Sequence, residues 1–163
     1  MGFSTLPRFW AGAVKIGGAD LSPNTALKVM QLDFGTLSGT PGSSVERLTR
    51  CPCTGLLYSV TMAAATALPV SNAAYLSFAL TNKAPDGNGT TVMLATTPPG
   101  INTTQATGGL PFLPYVVMPL TLAGGAVDQV TVGDVLAMVV TTTGNLNKTM
   151  PETMAWFAFL PAT

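Results

Sequence analysis

Histidine is absent from this sequence. That removes the commonest general base, the commonest metal ligand and the usual switch near neutral pH. Charge is scarce too. Seven Lys and Arg balance seven Asp and Glu, and together they make up 9% of the residues, where a soluble domain ordinarily carries about 25%. The cations (Arg8, Lys15, Lys28, Arg47, Arg50, Lys83 and Lys148) stand singly. Phosphate backbones are bound by clustered cations, so nucleic acid is not an expected partner. No apolar run reaches the 18 or so residues that span a bilayer, and the longest, 110–123, is cut by Pro111, Pro114 and Pro119. The first twelve residues lack the basic start and unbroken apolar core of a signal peptide, and Leu6 stands where myristoylation wants Ser or Thr. An unexported, unanchored chain is expected.

Cysteine is limited to Cys51 and Cys53, one residue apart across Pro52. Structural zinc needs four ligands, usually as C-x₂-C pairs or with histidine. A redox dithiol wants C-x-x-C at a helix start. Side chains at i and i+2 of an extended chain lie about 6.5–7 Å apart, poorly placed for a mutual disulfide. The pair reads as two small apolar residues entering a strand, and two free thiols fit synthesis in a reducing compartment. No metal and no cofactor is expected.

Uninterrupted helix-length stretches are also few, because 17 Gly and 13 Pro punctuate the chain. What is present is alternation. Residues 56–65 place Leu56, Tyr58, Val60 and Met62 on one side and Leu57, Ser59, Thr61 and Ala63 on the other. Residues 73–81 repeat the period, with Ala74, Leu76, Phe78 and Leu80 against Tyr75, Ser77 and Ala79. A period of two marks a half-buried strand. Further strands are expected over 9–16, 26–34, 90–96, 115–122, 126–132, 134–142 and 153–160. Turn chemistry lies between them at Gly39–Gly42, Pro85–Gly89, Pro98–Gly100 and Gly144-Asn145. Short buried helices over 62–68 and 133–140 are the rival reading, although Pro69 would end the first at once. About eight or nine short strands with turns between them indicate an all-β antiparallel sandwich.

One domain is expected from the 163 residues, organised as 1–25 and 26–163. The first part is Gly-rich and aromatic, and reads either as an N-terminal arm packing on a neighbour or as the first strand. Residues 98–114 form a loop longer than the usual 12–15 residues. It ends in Leu110-Pro111-Phe112-Leu113-Pro114 and serves either as a contact surface or as a cover folded over its own core.

Carboxylates give no clear site. Asp128 and Asp134 are near in sequence, while Asp20, Asp33, Glu46, Asp86 and Glu152 are isolated. Asp134 follows Gly133 at the entry to a strand, where its side chain can bond its own backbone and hold the turn. Two acids without a shaped pocket and a third partner make a weak catalytic signal, so no catalytic residues are assigned and no enzyme activity or small-molecule substrate is expected. The three sequons at Asn88, Asn102 and Asn147 are discounted, because Thr is abundant here. In Trp156-Phe157-Ala158-Phe159, if Phe157 and Phe159 face the core, Trp156 faces outward or into an interface.

Several stretches carry a resemblance. Arg50-Cys51-Pro52-Cys53-Thr54-Gly55 opens the strand Leu57–Thr61, and Ala74–Leu80 follows as its partner strand. Leu120–Gly125, then Val132-Gly133-Asp134-Val135-Leu136 leading into Val139-Val140, and a closing aromatic strand complete the order. Over residues 26–160 this resembles the jelly-roll capsid decoration (cement) proteins of tailed bacteriophages. The resemblance implies a structural virion protein on the capsid surface, assembled in the host cytoplasm. Its implied partners are the major capsid protein and further copies of itself, as a trimer, across capsomer boundaries. The contact residues expected are Phe3, Phe9, Trp10, Leu110, Phe112, Leu113 and Tyr115. The alternative is a trimeric receptor-binding or fibre head recognising a glycan through Asp86, Asn88 and Asn102. Surface area points to association in either case. A 16.7 kDa monomer exposes about 7,600 Å², or about one charge per 540 Å², and free monomers use charge to stay apart.

Overall fold

A computed structural model of the chain describes residues 14–16, 19–21, 27–68, 71, 73–95, 111–147 and 149–162. Eleven strands and one 3₁₀ turn are present among them. A short antiparallel hairpin, β1 (Val14–Ile16) and β2 (Ala19–Leu21), comes first. Then follow β3 (Lys28–Leu37), β4 (Ser44–Arg50), β5 (Gly55–Ala63), β6 (Tyr75–Asn82), β7 (Thr91–Val92), β8 (Met118–Leu120), the 3₁₀ turn Gly125–Asp128, β9 (Gln129–Val130), β10 (Val135–Thr143) and β11 (Met150–Pro161).

From β3 onward the strands form two antiparallel sheets. One has the order β3-β11-β5-β8, with β9 also on β5, and the other β4-β10-β6-β7. β8 pairs with Val60–Met62 and β9 with Gly55-Leu56. Because β11 already occupies one side of β5, β8 and β9 share the other and act as one strand interrupted by residues 121–128. Counted that way there are eight strands, and nearly every connection crosses from one sheet to the other. This is the double Greek key of a jelly roll, so the all-β sandwich read from the sequence holds.

The inner faces supply the core. β3 gives Phe34 and Leu37; β5 gives Leu57, Val60 and Met62; β11 gives Ala155, Phe157 and Phe159. Opposite them lie Leu76, Phe78 and Leu80 of β6 and Leu136, Met138 and Val140 of β10. The alternation read over 73–81 is therefore the observed one.

Four sequence expectations are corrected. β5 and Ala74–Leu80 are not partners: β5 pairs with β11, β8 and β9, while β6 pairs with β10 and β7. The two strands face each other across the core, and a period of two does not say which sheet a strand joins. The phase over 56–63 also differs. Leu57, Val60 and Met62 are buried, whereas Leu56 is half-buried and Tyr58 is exposed. The register shifts between Ala158↔Ser59 and Phe159↔Leu57, so Tyr58 is the extra residue of a β-bulge, which turns the alternation over. The rival helices do not form. Leu68 makes a β-bridge to Phe112, and Val135–Thr143 is a strand hydrogen-bonded on both sides. Finally, β4 was missed. It is an edge strand that buries Thr49 and half-buries Val45 but exposes Glu46, Leu48 and Arg50, so its sequence shows no apolar alternation.

One glycine has a clear steric cause. Gly144 has φ +66°, and a Cβ there would run into the Ala73 carbonyl at the start of β6. Only glycine meets both demands.

A candidate interface on the outer face of the five-stranded sheet

Because Ala155, Phe157 and Phe159 point inward, the alternate residues Met154, Trp156 and Ala158 of β11 point out. β11 is an interior strand of its sheet, so its neighbours set what surrounds them. Trp156 lies between Gln31 of β3 and Thr61 of β5, Met154 between Asp33 and Ala63, and Ala158 between Val29 and Ser59. The Gln31 side-chain amide donates to Met154 Sδ at 3.2 Å. Of the residues flanking these three, the charged one is Asp33, on the β3 side.

The segment before β8 closes one side of this face. Its Tyr115 N–H donates to the Ala64 carbonyl at 2.9 Å, and Val116 N–H to the Leu113 carbonyl at 3.2 Å. The second bond closes a β-turn with Pro114 in the second position and Tyr115, at φ 59°, in the third. That is the pattern of a type II turn, whose third position favours glycine. The turn leaves Leu113, Tyr115, Val116 and Val117 exposed in one run, with Tyr115 at 75%. Together these elements form a depression of about 260 Å³ lined by Ala63, Ala64, Tyr115, Val117, Glu152, Met154 and Trp156. Glu152, at a register irregularity of β11, has φ 53°. Four non-glycine residues take left-handed φ among the described residues, and two of them line this trough. Such conformations cost about 1–3 kcal/mol each and cluster where a side chain is held for use.

The expected contact residues fall in three groups. Phe3, Phe9, Trp10 and Leu110 lie outside the described residues. Leu113 and Tyr115 are exposed beside the trough. Phe112 is corrected: it is 1% exposed and packs edge-on against Phe78, ring centroids 6.2 Å apart at 70°. Its N–H and carbonyl both bond Leu68, at 3.0 Å each, which turns its side chain into the core. Trp156 faces outward as the alternation allowed. Val117, Met154 and Glu152 were not foreseen. Met154 was legible as the residue two before Trp156, but Val117 sits in an apolar run without a period, and Glu152 reaches the trough only through the bulge.

The other candidates hold structure. Cys51 and Cys53 are free; Cys51 is buried and Cys53 half-buried. Burial, with Asp134 and Cys53 nearby, pushes the Cys51 thiol up to about 12, so it stays protonated and unreactive at neutral pH. Asp134 holds its turn as expected, its Oδ2 accepting from the Thr131 N–H at 2.9 Å and the Asn82 side chain at 2.8 Å. Asp86 accepts from the backbone and side chain of Asn88, which holds its carboxyl below the usual range. Asp128 is buried with Oδ1 unpartnered, and desolvation raises its carboxyl despite a bond from the Gly124 N–H. Among the described residues no three His, Cys, Asp or Glu side chains are grouped to hold a metal.

No family model matches the chain, and no curated protein matches it. Among solved structures, one chain in the structure of infectious bursal disease virus Gx strain is similar, with a TM-score of 0.44 and 9% sequence identity. The match covers 91% of this chain and 37% of that one, so this chain spans little more than a third of its length. The fold assignment rests on the strand order described above.

Proposed function

We propose that this protein is a structural component of a virus particle, which decorates and stabilises the capsid by binding the major capsid protein and copies of itself. The observation that carries the reading is the exposed apolar trough on a jelly roll whose surface is poor in charge. Contiguous exposed apolar surface rimmed by polar groups marks interaction sites. Its burial contributes about 25 cal/mol per Å² before the entropy of association is subtracted. A contact face carrying few ions avoids the penalty of burying unpaired charge. Repeated over a closed oligomer, modest contacts combine into durable attachment. The virion setting is supported by the likeness to decoration proteins and by the jelly-roll order. The glycan-binding alternative is less favoured, because Asp86 and Asn88 already bond each other. No catalytic role is assigned.

Molar mass in solution, followed by co-sedimentation with empty shells of the source virus, tests the reading. The expected result is an oligomer, a trimer if the resemblance extends that far, that pellets with the shells. A chain that stays monomeric at tens of micromolar and never pellets would overturn it.

A further inference from the structure

We infer that the trough is filled by the N-terminal segment Phe3–Trp10 of a neighbouring copy, with Arg8 paired to Glu152. The inference rests on the self-association reading and names the occupant of its interface.

Three observations lead there. First, the trough is apolar except for one lining carboxylate, Glu152, and the first thirteen residues carry one charged side chain, Arg8, set among Leu6, Phe9 and Trp10. The single charges are opposite in sign, and both surroundings are apolar. Second, spacing suits an extended strand of this composition. Leu6 precedes Pro7, which biases it toward extended backbone. In an extended segment Leu6, Arg8 and Trp10 share one side, so one cation falls between two large apolar groups. The eight residues from Phe3 to Trp10 reach about 27 Å at 3.4 Å each, which lies within the roughly 31 Å of the nine residues of β11 from Glu152 to Leu160. Third, Tyr115 and Glu152 are both held at left-handed φ at this one site, where glycine would satisfy the backbone. The cost is understandable if their side chains grip something the isolated chain leaves out.

The test uses the full chain with a photoreactive benzophenone side chain at position 10, mixed as ¹⁵N-labelled and unlabelled copies, irradiated and mapped by mass spectrometry. The expected products join position 10 to peptides containing Tyr115–Val117 or Glu152–Trp156 in mixed-isotope pairs. Arg8→Glu and Glu152→Arg should each lower that yield roughly two- to five-fold, the range of an exposed ion pair. The double reversal should restore it, which misfolding of either single variant could not mimic. Cross-links elsewhere, same-isotope pairs alone, or no rescue in the double variant would overturn the inference. If molar mass shows an oligomer but position 10 never reaches the trough, the segment docking fails while self-association stands. If molar mass shows a monomer, both fail.

Discussion

Replacing Asp134 by alanine separates the two roles that a buried carboxylate could have in this fold. The side chain is 6% exposed, and its Oδ2 accepts from the Thr131 N–H at 2.9 Å and from Asn82 Nδ2 at 2.8 Å. Asp134 N–H in turn donates to the Thr131 carbonyl at 3.0 Å, and the Asp134 carbonyl accepts from Cys51 N–H at 2.8 Å. The carboxylate thus ties the turn before β10 to the end of β6, next to the entry into β5. A hydrogen bond to a charged group contributes about 1.5–3 kcal/mol net, and removing the acceptor also strands two donors. Asp134→Ala should therefore cost about 3–5 kcal/mol, a large part of the 5–15 kcal/mol typical of a domain. Asp134→Asn keeps one acceptor oxygen in place and should cost about 1–2 kcal/mol. Asn82→Ala should be non-additive with Asp134→Ala by about 1 kcal/mol or more, since both remove the same bond. Urea unfolding with an unchanged m-value reads the wild type, the three single variants and the Asp134→Ala/Asn82→Ala double variant. A cost below about 1 kcal/mol for Asp134→Ala, or full additivity with Asn82→Ala, would refute the turn-lock argument and reopen a functional role for this acid.

Other expectations follow from the same geometry. Phe112→Ala should lose about 3–5 kcal/mol by leaving a core cavity, while Tyr115→Ala should stay within about 0.5 kcal/mol by thermal melting; equal losses would place Tyr115 in the core after all. Tyr115→Gly relieves the left-handed backbone and should not lower stability, so a clear loss would show that the side chain serves the fold. With iodoacetamide at pH 8, Cys53 should be alkylated in the native protein and Cys51 only after unfolding; rapid native labelling of Cys51 would contradict its raised pKa. For Asp128 the folded carboxyl binds its proton more tightly than the unfolded one. Stability from this group therefore rises as pH falls through the folded pKa toward about 3.9, and is lost again on the way up. Asp128→Asn removes that change, so melting curves between pH 7 and 4 should diverge from the wild type; parallel curves would refute the assignment.

Sequence by itself determined what depends on local order and composition. β-branched and apolar residues at a period of two, divided by Gly and Pro, dictate strands, as at Leu76-Phe78-Leu80 and Phe157-Phe159. The residue types around Asp134 were enough to foresee a turn held by its side chain. Only the tertiary structure decided which strands pair, because register and sheet choice are set by contacts far apart in sequence. It placed β4 at an edge where only Val45 and Thr49 turn toward the core, and turned the phase at Tyr58 through a bulge against β11. It also drew Phe112 inward through its bridge to Leu68. The trough itself joins residues 63–64, 115–117 and 152–156. No local pattern could announce it, since each piece acquires its meaning only when long-range pairing brings the others alongside.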